Sequence, residues 1–124
     1  MSQSRRAISF VATAMPDLAE AFYSDTLGLT LTEKSPYALA FADGDAVLRV
    51  QIVQTFTPAP YTSHGWEVPD IAQEVADLTS KGVAFERFEP LNHDAMGVWT
   101  TPDGHRIAWF KDPDGNILSL TQRA

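Results

Sequence analysis

The sequence contains no cysteine among its 124 residues. This absence excludes disulfide bridges, zinc–thiolate centres and cysteine nucleophiles, and it permits a reducing compartment. Long apolar runs are also missing, because the first apolar stretch, residues 8–15, is too short and too mixed for a membrane helix or the core of a signal peptide. We therefore predict a cytoplasmic protein with no membrane partner.

Positive charge is scarce. Nine Lys and Arg residues stand against 16 Asp and Glu residues, which gives a formal net charge of −7. This charge opposes binding to nucleic-acid phosphates and to anionic membranes, so no nucleic-acid partner is expected. It mildly favours cationic ligands, although an acidic surface is also common in soluble proteins. A phosphate-cradling glycine-rich loop and a nucleophile-elbow serine are absent as well.

One pattern occurs twice along the chain. A helix-like segment begins at Asp17 and ends at Gly28, and a second begins at Asp70 and ends at Gly82. Each aspartate is predicted to cap its helix, and each glycine suits the left-handed position that follows a helix. The apolar residues that share helical spacing are Leu18, Ala21 and Phe22 in the first segment and Ile71, Val75 and Leu78 in the second.

Strand-like runs surround both helices and are separated by turn signals such as Asp43-Gly44. Neither half has enough core to stand alone. We therefore predict an α+β fold in which two βαβββ modules, residues 5–54 and 62–123, form one domain, 1–124, with a curved mixed sheet around a cleft. The predicted strands are residues 7–14, 29–33, 37–42 and 46–53, then 63–68, 83–88, 98–101, 106–111 and 117–121.

Three phrases of the sequence, residues 17–29, 65–71 and 109–116, occur in the order and spacing typical of one family. Together they span most of the chain. The sequence resembles the vicinal oxygen chelate superfamily, which includes glyoxalases, bleomycin-resistance proteins and extradiol dioxygenases. The resemblance implies the doubled βαβββ fold, but a fold does not by itself supply a function.

The resemblance also implies four positions at which the metal enzymes of the superfamily carry ligands to a divalent cation. In this sequence those positions hold Phe10, Gln51, Ser63 and Ser119. None is a strong ligand, and Phe10 has no donor atom at all. We therefore predict that the protein has neither the metal site nor another cofactor.

Three histidines were weighed as replacements. His64 lies one residue from the expected position, so on a regular strand it faces away, and only a bulge could turn it inward. His93 and His105 lie beside turns and are predicted to face solvent. A site rebuilt from His64, Glu67 and one of the loop histidines is conceivable, but the spacing does not demand it.

The predicted cleft has an apolar floor and a few polar groups. Such a surface is typical of a site for a small organic ligand. By strand alternation and the superfamily pattern, the candidate ligand-binding residues are Phe10, Ala12, Arg49, Gln51, Ser63, Glu67, Trp99, Trp109 and Ser119.

The tryptophans could provide aromatic walls for planar or cationic ligands. Trp109 is expected at the cleft, although tryptophans on short strands often belong to the core. Trp99 joins it only if the hairpin between them has an odd loop, because an even loop puts the two side chains on opposite faces. Trp66 is expected to pack under the second helix.

Glu67 is the candidate catalytic residue. In an apolar cup its carboxyl would have a raised pKa and could act as a general base. It could also pair with Arg49 across the cleft, or lie fully solvated at the rim.

Three functional hypotheses follow. The first is a metal-independent protein that binds a small organic ligand, such as a cationic antibiotic of the bleomycin type. The second is a lyase or isomerase of the glyoxalase-like class that uses Glu67 or a relocated metal site. The third is a structural or regulatory module with a vestigial cleft. The resemblance also implies a two-fold homodimer.

Overall fold

The computed structural model describes residues 5–124, and its secondary structure repeats one pattern twice. Each repeat has a first strand, a helix and then a set of strands that form a mixed sheet. One compact unit comprises the described residues up to Pro58 together with Pro113–Asn116. The other comprises Ala59–Asp112 and Ile117–Ala124. The α+β class and the doubled arrangement are therefore confirmed, except that the second unit has four strands after its helix instead of the three of a βαβββ module.

The first unit contains a four-stranded sheet in the order β1-β4-β3-β2. Strand β1 is parallel to β4, whereas the other neighbours are antiparallel. Helix α1 continues directly into a π-helical turn before the chain enters β2. The elements are β1 Ile8–Thr13, α1 Pro16–Ala21, the π turn Phe22–Thr26, β2 Thr30–Lys34, β3 Ala38–Asp43 and β4 Ala46–Ile52.

The second unit contains a five-stranded sheet in the order β5-β9-β8-β6, with β7 also paired to β8. Strand β5 is parallel to β9, as β1 is to β4. Strands β6 and β7 have two residues each and are much shorter than predicted. The elements are β5 Thr62–Glu67, α2 Ile71–Ser80, β6 Phe85–Glu86, β7 Trp99–Thr100, β8 Arg106–Lys111 and β9 Ile117–Gln122.

One face of each sheet is buried. In the first unit it presents Val11, Leu48 and Val50, and fully buried Tyr23 and Phe41 lie with ring centroids 5.7 Å apart. In the second unit, strand residues such as Phe110, Leu118 and Leu120 share the core with Ile71, Val75 and Leu78 of α2. Because strand side chains alternate, the intervening residues lie on the other face of each sheet, which carries exposed side chains such as Phe10 and Glu67 and which we call the open face.

The helix signals were right for α2 and partly wrong for α1. Asp70 caps α2 by accepting a hydrogen bond from the Gln73 backbone N–H at 3.2 Å. Asp17 is not a cap, because the first helix begins one residue earlier, at Pro16, after the N-cap residue Met15. Both glycines do take the left-handed conformation, with φ of 76° at Gly28 and 95° at Gly82.

The buried side of α1 also differs from the prediction. Ala19 and Tyr23 are fully buried, whereas Leu18 is 56% exposed and Ala21 is also exposed. Ala19 and Tyr23 are four residues apart and share one side of the helix, so the buried stripe is a neighbouring one with the same helical spacing. The apolar residues Leu18 and Phe22, also four apart, favoured the wrong stripe.

No helix among residues 5–124 has the length and apolar character needed to cross a membrane.

Candidate functional site

The open face of the second sheet carries the most chemically varied surface of its unit. Cross-strand pairing sets Gly65 opposite Ser119, Ser119 opposite Trp109, and Trp99 opposite Ile107. Since Ile107 and Trp109 are two residues apart on β8, both tryptophans lie on this open face. The loop between β7 and β8 therefore has an odd number of residues, which the sequence alone did not decide.

Trp109 is the centre of an aromatic cluster. Its ring centroid lies 6.1 Å from that of Trp99, with the planes 26° apart in a stacked arrangement. Phe88 approaches edge-on at 5.4 Å and His93 edge-on at 5.9 Å. Both tryptophans remain partly exposed. We call the rings of Phe88, His93, Trp99 and Trp109 the aromatic cluster.

His93 does not face solvent as predicted. Its Nε2 accepts a hydrogen bond from the Phe88 backbone N–H at 3.1 Å, and its Nδ1 lies 2.8 Å from the Gly97 carbonyl oxygen. The first contact needs a lone pair on Nε2 and the second needs a proton on Nδ1, so these partners assign the neutral Nδ1–H tautomer. The prediction failed because a long loop folds the ring back against Trp109.

This loop, between β6 and β7, is held by internal hydrogen bonds. The Arg87 guanidinium donates to the carbonyl oxygens of Asp94 and Ala95 at 2.8 and 3.0 Å. The Asp94 carboxylate accepts from the backbone N–H groups of Met96 and Val98, both at 2.9 Å. These bonds restrict the conformation of the loop, and they position His93 and Phe88 beside the tryptophans.

A β-bulge changes the predicted face of Ser63. The register shifts between Thr62 and His64, so Thr62 pairs with Ile117 and Ser63 is the extra residue. Thr62 takes the place predicted for Ser63, because its Oγ1 accepts a hydrogen bond from the Trp109 indole Nε1 at 3.1 Å. The regular alternation predicted from Ser63 to Gly65 is therefore wrong.

The same bulge does not turn His64 toward the open face. His64 pairs with Leu118, which lies in the core, and its ring packs edge-on against Trp66 at 4.8 Å. Both rings thus share the face that α2 covers. Trp66 is half-buried there, as its alternation with Glu67 predicted.

Glu67 is on the open face but is far from buried. Its side chain is 65% exposed, and its nearest cationic partner is Arg123, with Oε1 and Nη1 3.9 Å apart. The apolar enclosure expected around a catalytic carboxylate is therefore missing at Glu67. The position fits the solvated-rim alternative.

The open face of the first sheet has a different character. Phe10 and Arg49 are cross-strand partners, as are Ala12 and Gln51. Phe10 is 53% exposed, and Arg49 is 4.0 Å from Glu33 Oε1. Strand β3 adds small side chains to this face, since Ala38, Ala40 and Ala42 pair with Gln51, Arg49 and Val47. The result is an alanine floor beside one exposed phenyl ring and two polar groups.

The turn Pro113–Asn116 forms hydrogen bonds with the end of strand β1. Asp114 accepts hydrogen bonds from the Thr13 hydroxyl at 2.5 Å and from the Ala14 backbone N–H at 2.9 Å. Asn116 donates to the Ala12 carbonyl at 2.8 Å. Because Thr13 is fully buried, these bonds satisfy polar groups at the end of β1 that would otherwise be costly.

A groove of about 560 Å³ runs along α2 and is lined by Val75, Thr79, Phe85 and Met96, among others. Phe85 precedes Glu86, the cross-strand partner of Trp109, so the groove lies on the face opposite the aromatic cluster. Its walls are mostly small and apolar. We place the candidate site on the open face, where aromatic rings and polar groups converge.

The model of the Glyoxalase/Bleomycin resistance protein/Dioxygenase superfamily matches residues 7–120. The chain belongs to this superfamily. A search of curated proteins finds no match.

Several solved structures are similar to this protein over nearly the whole chain. TnmS3, an antibiotic binding protein from Streptomyces sp. CB03234, is 28% identical, with 100% of this chain and 99% of that chain covered and a TM-score of 0.74. A superfamily member from Sphaerobacter thermophilus DSM 20745 is 20% identical, with 99% and 100% covered and a TM-score of 0.76. Lactoylglutathione lyase from Agrobacterium tumefaciens is 19% identical, with 96% and 93% covered and a TM-score of 0.72. The two structures below 25% identity show the fold alone.

The metal that enzymes of the superfamily hold does not fit the residues of this chain. Phe10 has no donor atom, and Gln51, Ser63 and Ser119 offer only neutral oxygens, which bind divalent cations weakly. In the described part of the chain, no three side chains of His, Cys, Asp or Glu are grouped so that they could hold a metal ion. We therefore derive no chemistry through a metal.

The structure brings part of the predicted site together. Trp99, Trp109, Ser119 and Glu67 share the open face of the second sheet, and Phe10, Ala12, Arg49 and Gln51 share that of the first. Sequence reasoning missed four residues on these surfaces or beside them, because they depend on the bulge, the loop and the 113–116 turn: Thr62, Phe88, His93 and Asp114.

Proposed function

We propose that the protein binds a small aromatic organic molecule on the open face of the second sheet and holds it without chemical change. The observation that carries this proposal is the aromatic cluster, in which partly exposed Trp99 and Trp109 are fixed by neighbours rather than buried in the core. Stacked rings contribute about 0.5–1.5 kcal/mol each beyond the area they bury. Binding rather than catalysis is favoured because Glu67 is solvated.

An antibiotic is a suitable ligand class. The 28% identical TnmS3 is an antibiotic binding protein, and the two chains cover each other almost completely. A protein that sequesters such a compound needs affinity and no catalytic group, which agrees with a face built from rings, hydroxyls and loosely paired charges. The open face of the first sheet, with Phe10 and Arg49, is proposed as a separate and weaker binding surface.

Tryptophan fluorescence tests the proposal. A Trp66→Phe background removes the indole on the helix side and leaves the two indoles of the aromatic cluster as reporters. Titration with acridine, a planar heterocycle, should quench this emission in a saturable way. In the same background, Trp109→Ala should weaken binding by about tenfold, or 1.4 kcal/mol. Saturable binding that survives Trp109→Ala would contradict the site, and no binding by any planar probe would favour a vestigial face.

The charge of the ligand is a separate question. The acidic net charge and the tryptophan faces both favour a cation, since a desolvated cation on an indole gains about 2 kcal/mol. The matched pair acridine and N-methylacridinium has one ring system and differs in charge. Tighter binding of N-methylacridinium, weakened by salt, would support a cationic ligand.

The homodimer is likewise a proposal. Sedimentation equilibrium with and without the probe would measure the assembly state and its dependence on ligand.

A further inference from the structure

The open face of the second sheet contains a hydroxyl group that the fold does not use. Ser119 is only 9% exposed, yet among the described residues its Oγ has no hydrogen-bond partner. A buried hydroxyl without a partner loses its interactions with water and costs about 1–3 kcal/mol. No fully enclosed polar side-chain atom of the described residues lacks a partner, so Ser119 Oγ must still reach solvent.

Gly65 provides this access. It is the cross-strand neighbour of Ser119, and it is exposed. A methyl group built on Gly65 would collide with Ser119 Oγ and would lie 3.0 Å from the Ser119 carbonyl oxygen. The hydroxyl therefore lies in the space that a side chain at position 65 would fill. We call the Gly65 gap with the Ser119 hydroxyl the notch.

The notch adjoins the aromatic cluster. Trp109 is the cross-strand partner of Ser119 on the other side, and its indole is fixed by the hydrogen bond from Nε1 to Thr62 Oγ1 at 3.1 Å. A planar molecule stacked on the tryptophans would therefore bring one edge near the notch. An oxygen atom at that edge could accept a hydrogen bond from the Ser119 hydroxyl.

We propose that the notch is a specificity element that selects aromatic ligands carrying a carbonyl or hydroxyl oxygen on the ring edge. This inference rests on the proposed function, because it names the ligand class of the same face. Ser119 donates to the ligand oxygen, and the missing side chain at Gly65 leaves the room that the Ser119 hydroxyl occupies. Once a bound ligand excludes water from this hydroxyl, only a ligand with an oxygen at this edge satisfies it, and this is an effective means of discrimination.

The test uses fluorenone and fluorene, which have one tricyclic skeleton and differ by a carbonyl oxygen. Isothermal titration calorimetry on the full chain should give about fivefold tighter binding of fluorenone. In Ser119→Ala this preference should fall to about twofold or less, with fluorene affinity nearly unchanged. The matched control is Thr121→Val, which removes a hydroxyl two residues along the same face and should keep the preference.

A stability measurement separates recognition from a structural role. Because the Ser119 hydroxyl makes no hydrogen bond within the described chain, Ser119→Ala should leave the unfolding midpoint unchanged or raise it. Gly65→Ala fills the notch and should weaken fluorenone binding by roughly tenfold. Adding Ser119→Ala to it removes the colliding oxygen, and this double variant should recover fluorene binding without recovering the preference for fluorenone.

The outcomes distinguish the two proposals. If the wild type binds both probes equally, or if Ser119→Ala keeps the preference, the notch inference is overturned while aromatic binding on this face stands. If neither probe binds, both proposals fall together. A lowered midpoint in Ser119→Ala with the preference intact would assign the hydroxyl a purely structural role and would also overturn the inference.

Discussion

The two sheets have matching strand orders but expose different chemistry. The open face of the first sheet is a floor of alanines with one exposed phenyl ring, Phe10, and the charged pair Arg49 and Glu33. The open face of the second sheet carries the aromatic cluster and the notch at Gly65 and Ser119. The two sheets thus have the same strand arrangement, and the residues on the open face of each decide what that face can bind.

The units also differ in what fixes their outer parts. A carboxylate, Asp114, closes the turn 113–116 on the end of β1 in the first unit. A neutral imidazole, His93, holds the loop beside the tryptophans in the second unit. The comparison predicts that loss of the carboxylate has the largest effect on stability, that loss of the imidazole has a smaller one, and that loss of a tryptophan ring acts mainly on binding.

Asp114→Ala should have the largest effect. It leaves the fully buried Thr13 hydroxyl and the Ala14 N–H without their acceptor, which should reduce the free energy of unfolding by about 2–3 kcal/mol. Urea unfolding followed by circular dichroism measures this loss. Asp25→Ala, at an exposed aspartate of the same unit, is the control and should stay within about 0.5 kcal/mol of wild type. Equal losses in both variants would contradict the role assigned to Asp114.

Trp109→Ala should have the next largest effect, and on binding. In the background of Trp66→Phe, affinity for acridine should fall by about tenfold, or 1.4 kcal/mol, because the cluster loses its central ring. Phe10→Ala removes the exposed ring of the other face and should change affinity by less than about threefold. A larger loss of affinity in Phe10→Ala than in Trp109→Ala would indicate that the ligand binds mainly on the first sheet.

Trp109 and Asp114 differ in how far their roles could be predicted from the sequence. Trp109 was predicted on the cleft face from the superfamily pattern together with strand alternation, which is a local property. The role of Asp114 was not predicted, because a residue in a turn gives no sign of the distant strand on which it closes. Its partner Thr13 is 101 positions away in the chain.

His93→Ala should have a smaller effect. Loss of the bond from the Phe88 N–H and of the contact with the Gly97 carbonyl should destabilise the second unit by about 1 kcal/mol. Hydrogen exchange should report faster exchange at Phe88 than in wild type. His105→Ala, at a histidine on an exposed hairpin, is the control and should leave exchange at Phe88 unchanged. Unaltered exchange in His93→Ala would show that Arg87 and Asp94 suffice to hold the loop.

The smallest expected effects are on the pH dependence of stability. One group loses its contribution in acid, in the second unit, and the other loses its contribution in alkali, in the first unit. A hydrogen bond from the Thr101 hydroxyl lowers the pKa of Asp103, so its contribution is present above the ordinary aspartate pKa and is lost as the pH falls through the folded value. A hydrogen bond to Glu20 raises the pKa of Lys34, so its contribution is present below the ordinary lysine pKa and is lost in alkali.

Thermal unfolding across pH tests this contrast. The difference in midpoint between wild type and Thr101→Val should shrink as the pH falls below the ordinary aspartate pKa of about 4, and the difference for Lys34→Met should shrink as the pH rises above the ordinary lysine pKa of about 10.4. Both groups are on the surface, so added salt should reduce both differences. A difference that is independent of pH would show that the substitution acts through packing instead.

The doubled α+β pattern followed from the sequence because its signals are local. The glycines Gly28 and Gly82, the cap Asp70 and the stripe Ile71, Val75 and Leu78 each depend on residues within one or two turns of chain. The superfamily resemblance rested on the same segments. The early start of α1 and its π turn were missed, because Leu18 and Phe22 mimic a regular apolar stripe beside the true one, Ala19 and Tyr23.

The sequence by itself determined which residue types are available: no cysteine, no strong metal ligand at the superfamily positions, and tryptophans on strands of the second half. Tertiary structure decided which of them meet. The bulge at Ser63 put Thr62 beside Trp109, the loop brought His93 to the tryptophans, and the strand register set the Ser119 hydroxyl above Gly65. The physical reason is that strand register and loop closure are set by contacts between distant segments of the chain. Local sequence preferences carry no information about such contacts.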